Sequence, residues 1–143
     1  MLAKIFEFED YNGNKRTETH YFNLSQAECY EMEFSASGGL TTYLNRIIAA
    51  QDMPTLSRIF KELILKSYGI KSDDGRQFRK SPEISKSFEE TEAYSQLYME
   101  LATNSKAATD FVNGIVPKKI SEEAAKMKDA GNVTTLPFPP ASN

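Results

Sequence analysis

His20 is the only histidine in the chain and Cys29 the only cysteine, so any metal cage or nucleophilic triad must be assembled from these two and carboxylates. His20 lies between Thr19 and Tyr21 in an alternating run with no ligand cluster around it, and a solvated or pocket-edge imidazole is its ordinary role there. Cys29 is flanked by Glu28 and Glu31, whose charges raise a thiol pKa rather than lower it, and a small buried hydrophobe is the expected state. Gly38 and Gly39 lack the Lys-Ser or Lys-Thr that completes a phosphate loop, so the pair reads as a connector. Glu89, Glu90 and Glu92 could do acid–base work only if buried close together, and beside Lys86 and Ser87 they read as a solvated helical face. No catalytic residue, cofactor site or metal site is expected, and the chain is not expected to be an enzyme.

Interaction surfaces are better represented. Tyr94 and Tyr98 stand one helical turn apart with Met99 beside them; they form either a core pair or a docking strip. Tyr43, Ile47, Phe60 and Ile64 lie on two successive helices whose apolar side chains exceed what a small core needs, which makes them the expected partner-binding surface together with Tyr94 and Tyr98. The segment Leu136-Pro137-Phe138-Pro139-Pro140 reads as a disordered end or an extended recognition peptide.

The elements that carry these residues are organised around Asp52 to Gly69. Leu56, Ile59, Phe60, Leu63, Ile64 and Tyr68 share one helical face, while Arg58, Lys61, Glu62 and Lys66 occupy mostly the other. Burial of that stripe offers about 10 to 15 kcal/mol before chain entropy is subtracted. Asp52 is the expected N-cap, Pro54 sits where its missing N–H costs nothing, and Gly69 is the expected left-handed stop. Before this helix, Leu2 to Phe8 alternates, with Phe6 and Phe8 on one side and Ile5 and Glu7 on the other, and Lys15 to Phe22 returns as a second strand. Asn12-Gly13 between the two runs predicts a type I′ turn. Ser25 and Glu28 form a capping box, with Leu24 and Cys29 as its hydrophobic staple. Leu40, Tyr43, Leu44, Ile47 and Ile48 mark a further helix.

Lys71 to Lys80 is a polar loop with turn chemistry at Asp74-Gly75 and room for a small β excursion. Ser81-Pro82 starts a helical region with a break near Thr91, and Ser105 is the expected cap of a last helix ended by Gly114 and Pro117. The fold class is therefore α+β, mainly α: an N-terminal β-hairpin over 2–22 packed on a bundle of about five helices over 26–116, one domain spanning 1–116, with 117–143 as a mobile C-terminal tail.

Composition narrows the class further. At 143 residues with 40% hydrophobic content, the chain has the length of one compact domain. A formal charge of −3 with no basic block argues against nucleic acid, and no apolar run reaches membrane-helix length. The N-terminus MLAKIFEFED turns acidic too early for a signal peptide, so an intracellular protein is expected.

Whole segments carry a resemblance that composition does not. The hairpin with YFNLS, the FKELILKSYG helix, the SDDG-x-x-F loop, and TEAYSQLYMELAT followed by FVNGIVPK resemble the tail assembly chaperones of long-tailed phages and prophages of Gram-positive bacteria, over about Lys4 to Lys119. The resemblance implies a non-enzymatic protein of the siphovirus assembly pathway that binds the tape measure protein, keeps it soluble and promotes tail tube polymerisation around it. It further implies action in the host cell cytoplasm, absence from the mature virion, and in many members a longer product made by ribosomal frameshifting. The tail tube protein and self-association are the other implied partners. A different class, a small regulatory or antidefence module binding one host protein, fits the same composition.

Overall fold

The computed structural model describes residues 1–33, 49 and 52–117. Strands β1 (Leu2–Glu9) and β2 (Lys15–Phe22) pair antiparallel in unbroken register from Leu2 opposite Phe22 to Glu9 opposite Lys15. The alternation read from the sequence sets the faces: Phe6 is buried, with Leu2 and Phe8 packed against the core beside it, while Ala3, Ile5, Glu7 and Glu9 are exposed.

The turn between the strands differs from the type I′ expectation. The Gly13 N–H donates to the Asp10 carbonyl at 2.9 Å, which makes Tyr11 and Asn12 the central residues, and Gly13 follows them with φ of 85°. The Asp10 carboxylate decides this. Its Oδ1 accepts from the N–H groups of Asn12 and Asn14, both at 2.9 Å, and its Oδ2 accepts from Arg16 Nε at 2.6 Å. A turn nucleated by an aspartate side chain followed by one left-handed glycine is the three-residue solution to the same hairpin problem.

Helix α1 (Gln26–Glu33) begins with the capping box intact: the Ser25 N–H donates to Glu28 Oε1 at 2.8 Å and the Glu28 N–H to Ser25 Oγ at 3.1 Å. Leu24 and Cys29, the staple positions, are both fully buried. The predicted helix over Leu40 to Ile48 and the tail over 118–143 lie outside the described residues.

Helix α2 (Met53–Ser67) buries Leu56, Ile59, Phe60, Leu63 and Ile64 as its periodicity requires, and Asp52 Oδ1 caps it by accepting from the Thr55 N–H at 3.3 Å. Its C-terminus corrects the sequence reading. The helix passes directly into strand β3 (Tyr68–Lys71), with Tyr68 at φ −71° and ψ 140°, and Gly69 lies within that strand rather than in a left-handed cap. Gly69 is needed for space: a Cβ there would stand 2.7 Å from the Phe78 ring and 2.9 Å from the Arg79 carbonyl oxygen. Strand β3 pairs with β2 through Tyr21–Gly69 and Phe22–Tyr68 and with β4 (Phe78–Arg79) on its other side. The small β excursion thus enlarges the hairpin to a four-stranded antiparallel sheet in the order β1-β2-β3-β4.

Three short helices complete the described residues. Helix α3 (Pro82–Glu89) is capped by Ser81, and α4 (Glu92–Thr103) by Thr91 at the predicted break. Helix α5 (Ser105–Ile115) is capped by Asn104, whose Oδ1 accepts from the Ala107 N–H at 3.0 Å, so the expected cap Ser105 is the first helical residue instead. Gly114 does not end α5 but lies inside it, where a Cβ would come within 3.0 Å of Leu2. The helix stops at extended Val116, before Pro117. Phe22, Leu24, Phe60, Leu63, Ile64, Phe88, Leu97 and Ile115 form the sealed centre of one core shared by sheet and helices.

Candidate functional site

Among the described residues, an imidazole, a carboxylate, a phenol and two phenyl rings converge around His20. On the helix-facing side of β2, its ring centroid lies 5.7 Å from Phe6, 5.6 Å from Tyr68 and 5.1 Å from Phe88. His20 Nδ1 is 3.1 Å from the Tyr68 hydroxyl and Nε2 is 3.0 Å from Glu18 Oε1. Burial, reinforced by the Glu18 charge, pushes the Tyr68 phenol above its ordinary value, so that hydroxyl keeps its proton at neutral pH. The Glu18 carboxylate can only accept, so the Nε2–H donates to it, and in the neutral ring of that tautomer Nδ1 accepts from the Tyr68 hydroxyl. Both ring nitrogens are satisfied, and the arrangement is a structural clasp between β2 and β3 rather than a base awaiting a substrate.

The remaining chemical candidates are separated. Cys29 is buried. Glu89 pairs with Lys61 of α2 at 3.2 Å and Glu90 with Lys86 at 3.8 Å, while Glu92 occupies the first turn of α4, where a carboxylate suits the helix dipole. Among the described residues, no group of three or more His, Cys, Asp and Glu side chains could hold a metal ion. A shallow cleft of about 240 Å³ between β1, α4 and α5 is lined by Leu2, Phe111 and the ion pairs Lys4–Glu100 at 3.3 Å and Lys106–Asp110 at 2.9 Å, with each charge already matched.

A second polar joint is tighter. Lys80 Nζ donates to the Asn23 carbonyl at 2.7 Å and to both Glu28 oxygens at 2.8 and 3.0 Å, tying the start of α3 to the start of α1. Burial alone would raise the Glu28 carboxyl, but the Lys80 ammonium and the Ser25 N–H outweigh it and hold Glu28 below the usual carboxylate range. Sequence reasoning found Glu28 through the capping box and missed Lys80, because nothing local marks a partner 52 positions away.

The residues expected to bind a partner fall into three groups. Tyr43 and Ile47 lie outside the described residues. Phe60 and Ile64 are buried at 1% and 0% exposure, inside the core. Tyr94 and Tyr98 are half-buried, with rings 6.0 Å apart, and the Tyr98 hydroxyl donates to Ser57 Oγ at 2.7 Å. Among the described residues, the large apolar side chains left exposed are Ile5, Tyr11, Tyr30, Met53, Ile70 and Met99, together with Met1. For Ile5 the signal was its place opposite Phe6 and Phe8 in the β1 alternation. These exposed side chains are the apolar surface that the described residues offer to a partner.

The sequence comparison supplies the class of protein to which this surface belongs. The pattern of the family described as phage tail assembly chaperone matches residues 1–138. The chain belongs to this family. No curated protein and no solved structure matches it. Membership bears out the resemblance read from YFNLS, FKELILKSYG and TEAYSQLYMELAT, and it places the chain in a class of assembly factors that is not an enzyme class. In the described part of this family member, no helix is long and apolar enough to cross a membrane.

Proposed function

We propose that the protein binds the tape measure protein during tail morphogenesis, keeps its long apolar helices soluble, and promotes polymerisation of tail tube subunits around it in the host cytoplasm. Family membership over residues 1–138 carries this reading. Three features support it: mixed surface charge with a net charge of −3, half-buried tyrosines at the α2–α4 joint, and exposed Met53 and Met99, whose flexible side chains suit an irregular apolar client. Tyr94 and Tyr98 are the members of the expected binding set that a client reaches directly. Phe60 and Ile64 meet one only if the core opens, and Tyr43 and Ile47 remain part of the proposed surface.

Co-expression with the tape measure protein of the same phage genome tests the proposal. The expected result is a soluble tape measure protein that co-elutes with this chain on gel filtration. An insoluble tape measure protein and no complex, with this chain folded and abundant, would overturn it.

A further inference from the structure

Among the described residues, no strand lies beyond β1 in the β1-β2-β3-β4 sheet, and the ladder fixes which of its backbone groups are left over. The Asp10 N–H donates to the Asn14 carbonyl at 2.8 Å, and the Asn23 N–H, just past β2, donates the other way to Ser67 at 2.8 Å. Antiparallel bonding alternates, so Leu2, Lys4, Phe6 and Phe8 turn their N–H and C=O groups to β2, while Ala3, Ile5, Glu7 and Glu9 turn theirs outward. Those outward groups form a row along an unbroken strand of eight residues and bond to no other described residue. Lys4, the kind of cation that guards an edge strand, is turned to the helix side and held by Glu100 at 3.3 Å. The side chains of the same four residues lie on the sheet face away from the helices. Ile5 is 68% exposed there, and Glu7 and Glu9 are exposed and enter no ion pair among the described residues, Glu9 facing Lys15 without closing a bridge.

We infer that β1 takes up an extended, basic segment of a different protein as a further antiparallel strand, with Lys or Arg opposite Glu7 and Glu9 and an apolar residue opposite Ile5. Strand addition draws its affinity from backbone bonds and its specificity from alternate side chains, and this edge supplies both. A helical occupant cannot use the row, because its own N–H and C=O groups are already paired within the helix. The occupant is therefore extended over about seven residues. Residues directly opposite each other across an antiparallel pair bring their Cβ atoms to about 5 Å, close enough for a cation to neutralise each carboxylate, whereas an acidic segment meets like charge twice. Read from its N-terminus, the segment runs basic, any, basic, any, apolar, since its first contact lies at Glu9 and its last near Ala3. The antiparallel sense follows the rest of the sheet, in which every pairing is antiparallel. This edge is a different surface from the tyrosines of the α2–α4 joint, and the inference does not rest on binding of the tape measure protein.

Amide exchange and peptide titration of the full chain, followed by NMR, test the edge directly. In the free protein the amides of Lys4, Phe6 and Phe8 are protected and those of Ala3, Ile5, Glu7 and Glu9 exchange fast. The capped peptide TKTKTVTAT shifts and protects those four, with a Kd of about 0.1 to 1 mM, and TETETVTAT binds about tenfold more weakly. The double variant E7K/E9K reverses that preference. Glu7→Pro removes an outward N–H that the ladder to β2 does not use, so it keeps wild-type circular dichroism and loses about tenfold or more in peptide affinity. Should Glu7→Pro disturb the fold, the reversed preference of E7K/E9K decides the matter. Outward amides already protected in the free protein, which would mean that another part of the chain or a second copy covers β1, overturn the inference. So do peptides that leave the four amides unmoved, and equal binding of the two peptides. Because no tape measure protein is present, this result and that of the co-expression test fail independently.

Discussion

The rings of Tyr68 and Phe88 lie stacked, 4.2 Å between centroids and 12° between planes, which locks the first residue of β3 onto the buried face of α3. Phe22 from β2 meets Phe88 edge-on at 5.6 Å, and Phe111 from α5 meets Phe22 edge-on at 5.5 Å, so one aromatic chain crosses from helix to sheet to helix. Its anchor is Phe88. Truncation by Phe88→Ala removes a fully buried ring and leaves a cavity, with an expected loss of about 3 to 5 kcal/mol in urea unfolding. Tyr68→Phe keeps the stack and removes only the hydroxyl on His20 Nδ1, and is expected to cost about 1 kcal/mol. Equal losses for the two would show that the stack is not what joins these elements.

The Lys80–Glu28 pair makes a pH prediction. Because Glu28 titrates below its unfolded value of about 4.5 when folded, the pair contributes stability that is fully present above that value and is lost as pH falls through the depressed folded value. Glu28→Gln keeps an acceptor for the Ser25 N–H and removes the charge. The stability difference between wild type and E28Q is expected to be largest near neutral pH and to shrink as pH falls below about 4.5 and on through the depressed folded value, measured as urea midpoints across that range.

Two glycines are expected to fail for different reasons. Gly69→Ala forces a Cβ against both the Phe78 ring and the Arg79 backbone, and the backbone cannot step aside, so a loss of about 1 to 3 kcal/mol is expected together with weaker β3–β4 pairing. Gly75→Ala meets no atom within 4 Å and carries only the cost of φ at 76°, about 1 kcal/mol. Amide exchange separates the two, since only G69A should raise exchange at the β3–β4 amides.

Asn104→Ala is expected to cost about 1 kcal/mol and Ser105→Ala less than about 0.5 kcal/mol, because the carboxamide of Asn104 holds the Ala107 N–H. A reversed order in thermal unfolding would return the cap to Ser105.

What the sequence determined by itself was everything set by neighbours within a turn or a pleat. The 3.6-residue stripe from Leu56 to Ile64, the alternation of β1, the Ser25–Glu28 box, the Asp52 cap, the helix start at Ser81 and the break near Thr91 all act over three or four residues, where the chain has no freedom to rearrange them. The family too was legible, because it rests on whole segments. Tertiary structure decided the rest. Tyr68-Gly69-Ile70 looks like a helix end and becomes a strand because β2 offers an unpaired edge there, and Gly69 is required by Phe78, which arrives only after the next turn. Asn12-Gly13 lost its turn to the Asp10 carboxylate once Arg16 and two amides had gathered on it. Phe60 and Ile64 read as surplus surface until Phe22, Phe88 and Ile115 were packed around the same centre, since how much apolar area a core absorbs depends on elements that no local window contains.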